Sequence, residues 1–456
     1  MGVHGGPDIV TDGLVLNLDA GDVNSFSGNR TNNGSGTTWS DLSGNGNHGT
    51  MTRANTILLI HSDTTNDNTT FSDASTNDHT ITVTNTKHSS SFAKFGATSM
   101  YFTGSVGNLT IPDHNDFDFG TTDDFTMEAW IYKDFWKSSI DESVFSKGTN
   151  TFLMFWPGTT ADNGGNIYIS GPRGYKGWNG DTFSLDNWHH VAFVRTDGTL
   201  SDTTNHKVFI DGTERSQVTY GTLVNGEEDF DDNADTFNIG KRPSATPAYD
   251  FEGYMDEICI SNVARYSSNF TPPTKPFGPT FNTVNNGCLN FASASQEYVD
   301  LGNNFDYQGT TLFTIEAWVN ADSVSPVRQF IFAYDTNATQ QYGVGLDGNS
   351  PYIEVNGSVD LESSTTLSTS TWYNIVYVFE SSNTKIYLNG ALDSTKGSRT
   401  SIQNGTDTTA TIGRRNYSGY EEYFGGKIAN VNVYTRVLSS KEVLQNFNAK
   451  RSRFGV

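Results

Sequence analysis

One long series of motifs occurs twice in this 456-residue chain, and that duplication limits what it can fold into. The first copy runs Phe125-Thr126-Met127-Glu128-Ala129-Trp130-Ile131, then Trp188-His189-His190-Val191-Ala192-Phe193-Val194. It continues with Lys207-Val208-Phe209-Ile210-Asp211-Gly212, Ile239-Gly240-Lys241-Arg242 and Gly253-Tyr254-Met255-Asp256-Glu257-Ile258. The second copy runs Phe313-Thr314-Ile315-Glu316-Ala317-Trp318-Val319, then Trp372-Tyr373-Asn374-Ile375-Val376-Tyr377-Val378. It ends with Lys385-Ile386-Tyr387-Leu388-Asn389-Gly390, Ile412-Gly413-Arg414-Arg415 and Gly426-Lys427-Ile428-Ala429-Asn430-Val431. A repeat of this length is a duplicated domain; solenoid units span only about 20–50 residues.

Two openings precede the first body and none precedes the second. Gly13-Leu14-Val15-Leu16-Asn17-Leu18-Asp19 leads to Asp41-Leu42-Ser43-Gly44-Asn45-Gly46-Asn47-His48. Ile57-Leu58-Leu59-Ile60-His61-Ser62-Asp63 then leads to Asp73-Ala74-Ser75-Thr76-Asn77-Asp78-His79. The simplest parse gives the first opening to the last body: residues 9–53 plus 277–456 form one domain, and 54–276 is inserted in it. Insertion is tolerated where chain ends meet on an exposed turn. A tandem order, 1–276 and 277–456, is the alternative.

Within the repeats apolar and polar residues alternate, as Phe125, Met127, Ala129 and Ile131 do against Thr126, Glu128 and Trp130. Asp211-Gly212 and Asn389-Gly390 are hairpin-turn signals. With 45 Gly and 13% aromatic residues, the pattern predicts an all-β chain of two antiparallel sandwiches. One short helix is expected near Ser439–Phe447, capped by Ser439 or Ser440.

A net charge of −23 opposes binding to nucleic acid or anionic membranes, which rests on Lys and Arg. The basic run Lys450-Arg451-Ser452-Arg453 reads as a solvated tail or a docking point on an acidic neighbour. The two cysteines, Cys259 and Cys288, sit at non-equivalent points of the repeat, so neither a disulfide nor zinc spacing is implied. Neither a signal peptide nor a transmembrane segment is recognisable.

Both bodies resemble the laminin-G-like, concanavalin A-type jelly roll, with its F-T-I-E-A-W-V strand, W-H-H-V-A strand and G-x-I-D-E strand. The resemblance implies two concanavalin A-like (laminin-G-like) antiparallel β-sandwich jelly rolls, one inserted in the other. More narrowly, Asp12–Ala20, Thr38–Gly46, Asn269–Pro273 and Asn446–Gly455 resemble laminin-G-like virion proteins of tailed bacteriophages. That likeness implies a virion protein assembled in the host cytoplasm and released by lysis. Other virion proteins would be its partners, a homo-oligomer would be natural, and host-surface polysaccharide would be a candidate ligand.

Of the chemistry, Glu128 and Glu316 do not make a glycosidase, which needs two carboxylates about 5–10 Å apart; each strand supplies one. His189 and His190 point to opposite faces of a strand, so they read as packed or bonded histidines. No nucleophile elbow, zinc-protease helix or phosphate loop is present, and the expectation is a protein without catalytic residues. For a sugar, the candidates are loop aromatics that stack on pyranose faces: Trp136, Trp156, Tyr175, Trp178, Tyr417, Tyr420 and Tyr423. The resemblance also implies a structural Ca2+ held by Asp256, with Asp63. The two readings are a lectin-like virion surface protein that binds host glycans, and a capsid decoration or tail accessory protein acting through protein–protein contacts alone.

Overall fold

The computed structural model describes residues 8–456 apart from 27–37, 76, 105, 121–122, 138–141, 148–150, 157–165, 172–173, 180–182, 197–204, 219–234, 244–249, 283, 323–327, 336–339, 406–408 and 416–421. The chain divides into two compact units, Met1–Ala54 with Phe277–Val456, and Asn55–Pro276. Each contains two eight-stranded sheets whose named strands pair antiparallel.

In the discontinuous unit the opening strand Leu14–Asp19 pairs with the last strand, Gly426–Tyr434, with Leu18 opposite Val431. Gly49–Arg53 pairs with Glu297–Asp300 in the other sheet. The alternation works as the pattern predicts. Phe313, Ile315, Ala317 and Val319 enter one large core with Ile375, Tyr377, Ile412 and Val431. The opposite face of that sheet is covered by the C-terminal helix Ser440–Phe454. Ser439 caps this helix in a capping box with Glu442, and Gly455 ends it in the left-handed region. The helix runs seven residues past the expected Phe447, so Arg451 and Arg453 lie in its last turn, where the helix dipole favours cations.

In the Asn55–Pro276 unit, Phe125, Met127, Ala129 and Ile131 point into a core shared with Leu58, Ile60, Val191, Phe193 and Ile258. The opposite face is partly covered by Ala264, Tyr266 and Phe270, packed on Ala192, Val194 and Phe209. Both hairpin turns form where the sequence signalled them. Asp211 and Gly212 have φ of 50° and 73°, and Asn389 and Gly390 have φ of 49° and 81°. Two successive positive φ values are what a type I′ turn requires. Cys259 and Cys288 are both buried, and neither is in a disulfide. Among the described residues no helix is long and apolar enough to cross a membrane.

Candidate functional site

Four aromatic residues from distant parts of the sequence line up across four adjacent strands of the Asn55–Pro276 unit. Tyr101 is in register with Tyr254, Tyr254 with Tyr132, and Tyr132 with Trp188. They occupy the sheet face opposite the core, because their neighbours Met100, Met255 and Ile131 point inward. At a strand spacing of ~4.8 Å the row is about 14 Å long. Tyr101 and Tyr254 lie 4.9 Å apart, and Tyr132 and Trp188 lie 5.6 Å apart. Phe92 stacks on Tyr132 at 4.4 Å and is itself 37% exposed.

Polar groups border the row. The Tyr132 hydroxyl lies 3.5 Å from Asp186 Oδ1, and both Asp186 and Asp134 are exposed. Burial, then Tyr101 and Asp134, raise the Tyr254 phenol above its usual range, so it stays a neutral hydrogen-bond donor. Tyr132 is buried beneath Phe92, while Tyr101, Tyr254 and Trp188 are half-buried. Such half-buried rings edged by carboxylates can stack on one face of a sugar ring and accept hydrogen bonds from its hydroxyls. Among the described residues the other unit has no such strip. Lys427 faces Asn290 and Asn320 at the register that Tyr254 shares with Tyr101 and Tyr132.

The described aromatics among those singled out from the sequence, Trp136, Trp178 and Tyr423, are not members of this strip. Trp178 is 1% exposed and belongs to the core beside Ile167 and Phe193, so it is corrected to a packing residue. The segment read as a loop is the strand Gly174–Asn179, which aims Trp178 inward. Tyr423 is also buried, against Ala54 and Tyr298 in the other unit. Trp136 is half-buried and packs on the core 5.4 Å from Phe183. The backbones of Trp156 and Tyr175 lie in strands, opposite Asn166 and Ser170, and their side chains lie outside the described residues. Tyr417 and Tyr420 fall wholly outside them.

Of the residues expected to hold calcium, Asp256 is taken up by backbone N–H groups. Asp256 Oδ2 accepts the N–H groups of Lys94 and Phe95 at 3.1 and 3.2 Å, and Oδ1 accepts that of Glu257 at 3.0 Å. Its carboxylate therefore anchors a loop. A β-bulge between Asp256 and Cys259 puts Glu257 at φ 51° and turns that side chain, in place of Asp256, toward the first strand. Glu257 then groups with His61 and Asp63, with His61 Nδ1 2.6 Å from Glu257 Oε1. This set fits calcium poorly, because the ion takes six to eight oxygens and one of three donors here is an imidazole. Burial opposes a charged His61, but Glu257, Asp63 and Asp73 outweigh it and raise its pKa. The His61–Glu257 contact accounts for two of the three groups without a metal.

The discontinuous unit reverses that polarity. Asp19 follows Leu18 as His61 follows Ile60, and Asn430 stands opposite it. Lys450 and Arg453 from the C-terminal helix both pair with the Asp19 carboxylate. Burial alone would raise this carboxyl, but the two cations hold it at about 2 instead of 3.8. A depressed folded pKa contributes stability that is complete above the unfolded value and lost as pH falls toward the folded one. The shift amounts to about 2 kcal/mol. Asp19→Asn is therefore expected to destabilise this unit at pH 6, with the penalty reduced by about half at pH 3. Denaturant unfolding at both pH values checks this, and an equal loss at both would contradict it.

Neither strand glutamate is set up for acid–base chemistry. Glu316 accepts from the amides of Asn374 at 2.9 Å, Asn446 at 2.7 Å and Asn432 at 3.3 Å. Glu128 is bound by the Tyr266 hydroxyl at 2.7 Å and lies 3.1 Å from His190 Nε2. His189 is bonded to Asp211 instead, 2.6 Å from Nδ1.

No curated protein sequence matches the chain. Among solved structures, it is similar to domain 4 of AbnA, a GH43 extracellular arabinanase from Geobacillus stearothermophilus in complex with arabinotriose. That match is 12% identical, covers 38% of this chain and 82% of the other, and has a TM-score of 0.31. The IT-sialidase CBM40 of Ruminococcus gnavus bound to alpha2,3 sialyllactose is 18% identical over 30% of this chain and 82% of its own, with a TM-score of 0.27. The native heptameric SAP-like pentraxin of Limulus polyphemus is 17% identical over 30% and 70%, with a TM-score of 0.26. The laminin-G family model described as the concanavalin A-like lectin/glucanases superfamily matches residues 103–269 and 293–444. Those segments fall one in each unit and together span well over half of the sequence, so the chain belongs to that superfamily.

Proposed function

We propose that this protein is a non-enzymatic glycan-binding protein and that the Asn55–Pro276 unit carries its sugar site. The observation that carries the reading is the strip Tyr101–Tyr254–Tyr132–Trp188 with Phe92 above it and Asp134 and Asp186 beside it. Strand aromatics held in register present rings at little entropic cost, since the sheet fixes their backbones before any ligand arrives. The lack of catalysis is supported by the amide-saturated Glu316 and by Glu128, held by a phenol and an imidazole. The setting is the surface of a tailed-phage particle, on the strength of the sequence resemblance, with host-surface polysaccharide as the ligand class.

A glycan array probed with the full chain tests this. Binding to a defined set of oligosaccharides is expected. The Tyr101→Ala/Tyr254→Ala double variant should lose at least about 30-fold in affinity, since removing even one anchoring aromatic costs on the order of 2 kcal/mol. Both tyrosines are half-exposed, so the melting temperature should move little. Undiminished binding by the variant would overturn the site. A wild-type chain that binds no glycan but self-associates through this strip would favour the decoration reading.

A further inference from the structure

Outside the aromatic strip, the Asn55–Pro276 unit brings two histidines and an aspartate to one point. Asp116 Oδ2 lies 2.9 Å from His79 Nε2 and 3.2 Å from His114 Nδ1. The three can offer their donor atoms to a single ion. His79 is 7% exposed at its side chain, yet its Nε2 has no hydrogen-bond partner. It is close to the Asp116 oxygen but out of line for a hydrogen bond. Donors around a metal behave this way, because they point at a common centre and not at one another. With ~2.0–2.1 Å bonds at tetrahedral angles, such donors stand roughly 3.3 Å apart.

The site is held from behind. Asp116 sits in the one-turn helix Asn115–Phe117, whose Phe117 is buried in the core. The His79 N–H donates to Asp73 Oδ2 at 2.9 Å, which fixes that backbone. Asn77 Nδ2 donates to Asp116 Oδ2 at 2.6 Å, an outer contact that orients the carboxylate. His114 Nδ1 caps that helical turn by accepting the Asp116 N–H at 3.2 Å, a long contact that a bound cation would replace.

The other unit supplies an internal comparison. The Asn47 N–H donates to Asp41 as that of His79 does to Asp73. Asn304 precedes Phe305 as Asp116 precedes Phe117, and both phenylalanines are core residues. In that slot Asn304 Nδ2 donates to Asn47 Oδ1 at 2.9 Å, an amide pair complete in itself. Register places Leu109 and Val299 at the same position, since each faces the isoleucine of the Ile-Gly motif. The segment from there to the phenylalanine is two residues longer in the Asn55–Pro276 unit, and His114 lies within it. One unit thus has amides where the other has metal-ligand side chains plus an additional histidine.

The geometry points to a site for one divalent transition cation of the zinc class, bound by His79, His114 and Asp116 with a fourth position open to water or ligand. Two imidazoles and one carboxylate suit such an ion, whereas calcium and magnesium prefer oxygen alone. The test is titration of the chelator-treated full chain with Co2+, read by visible absorption, and with Zn2+, read by calorimetry. One ion per chain with the intense visible bands of a tetrahedral site is expected. His114→Ala and Asp116→Asn should each weaken binding by at least the about 10–100-fold that even an outer-contact loss costs. His61→Gln should leave it unchanged. Circular dichroism of the metal-free variants should match the wild type, because His114 is exposed. No stoichiometric binding, binding indifferent to His114→Ala, or binding abolished by His61→Gln would each overturn the assignment.

Discussion

Deleting the C-terminal helix, from Ser440 onward, is expected to abolish the cooperative unfolding transition of the discontinuous unit and to leave that of the Asn55–Pro276 unit in place. The helix shields an outer sheet face that is itself apolar. Trp318 is fully buried, with Phe454 stacked on it at 4.1 Å and Phe447 at 5.8 Å, and Trp372 lies 4.8 Å from Phe454. Losing a buried phenylalanine costs about 3–5 kcal/mol, and two go with the helix. The helix also delivers polar groups to the interior. Asn446 donates to Glu316 and to the Tyr434 hydroxyl at 2.9 Å, and its Oδ1 accepts the Val10 N–H at 2.8 Å. Burial already raises the Glu316 carboxyl, and losing a donor leaves it less satisfied. The sum approaches the whole stability of a domain, about 5–15 kcal/mol. Calorimetry of the truncated chain checks this, and two preserved transitions would show that the helix is an appendage.

The second large effect concerns a buried ion pair. Lys133 and Glu142 are both fully inaccessible, and the Lys133 ammonium donates to Glu142 and to the Glu252 carbonyl. Burial lowers the lysine pKa and raises that of the glutamate, while their mutual attraction opposes both changes. Lys133→Met would strand the carboxylate in the interior, at a cost of about 3–5 kcal/mol. For a unit of this size that is a fall of roughly 6–20 °C in melting temperature. The double variant Lys133→Met/Glu142→Met should recover most of the loss, since an apolar pair of similar volume is often as stable as the ion pair. Thermal unfolding of the three proteins decides. If the double variant is as unstable as the single one, the cost lies in lost packing, not in an unpaired charge.

Sandwich strands were legible because a strand with one face on a core alternates, and Phe125–Ile131 and Phe313–Val319 do so with turn residues between elements. The opening strand Leu14–Asp19 pairs more than 400 residues downstream, a contact that surfaces in sequence only as a missing start before the second body. The aromatic strip was hidden for a related reason. Its members, at 101, 132, 188 and 254, are neighbours only across strands, so register has to be known before they form a row. Trp178 misled because Gly and Lys around it look like loop chemistry, while Trp178 itself pairs with Gln217 inside a sheet. Asp256 was expected with Asp63 from the resemblance alone, and a β-bulge that the sequence does not announce makes its neighbour Glu257 the residue that faces His61. The C-terminal basic run, read as a solvated tail or a docking point on an acidic neighbour, instead lies in the C-terminal helix with Lys450 and Arg453 paired to Asp19 of the same chain.

The most direct test of the account is a crystal structure of the full chain with an oligosaccharide selected on the array. The account predicts a pyranose ring lying over Tyr101 and Tyr254, with sugar hydroxyls bonded to Asp134 or Asp186. Sugar bound elsewhere, or the strip sealed by a second copy of the chain with no sugar bound, would contradict it.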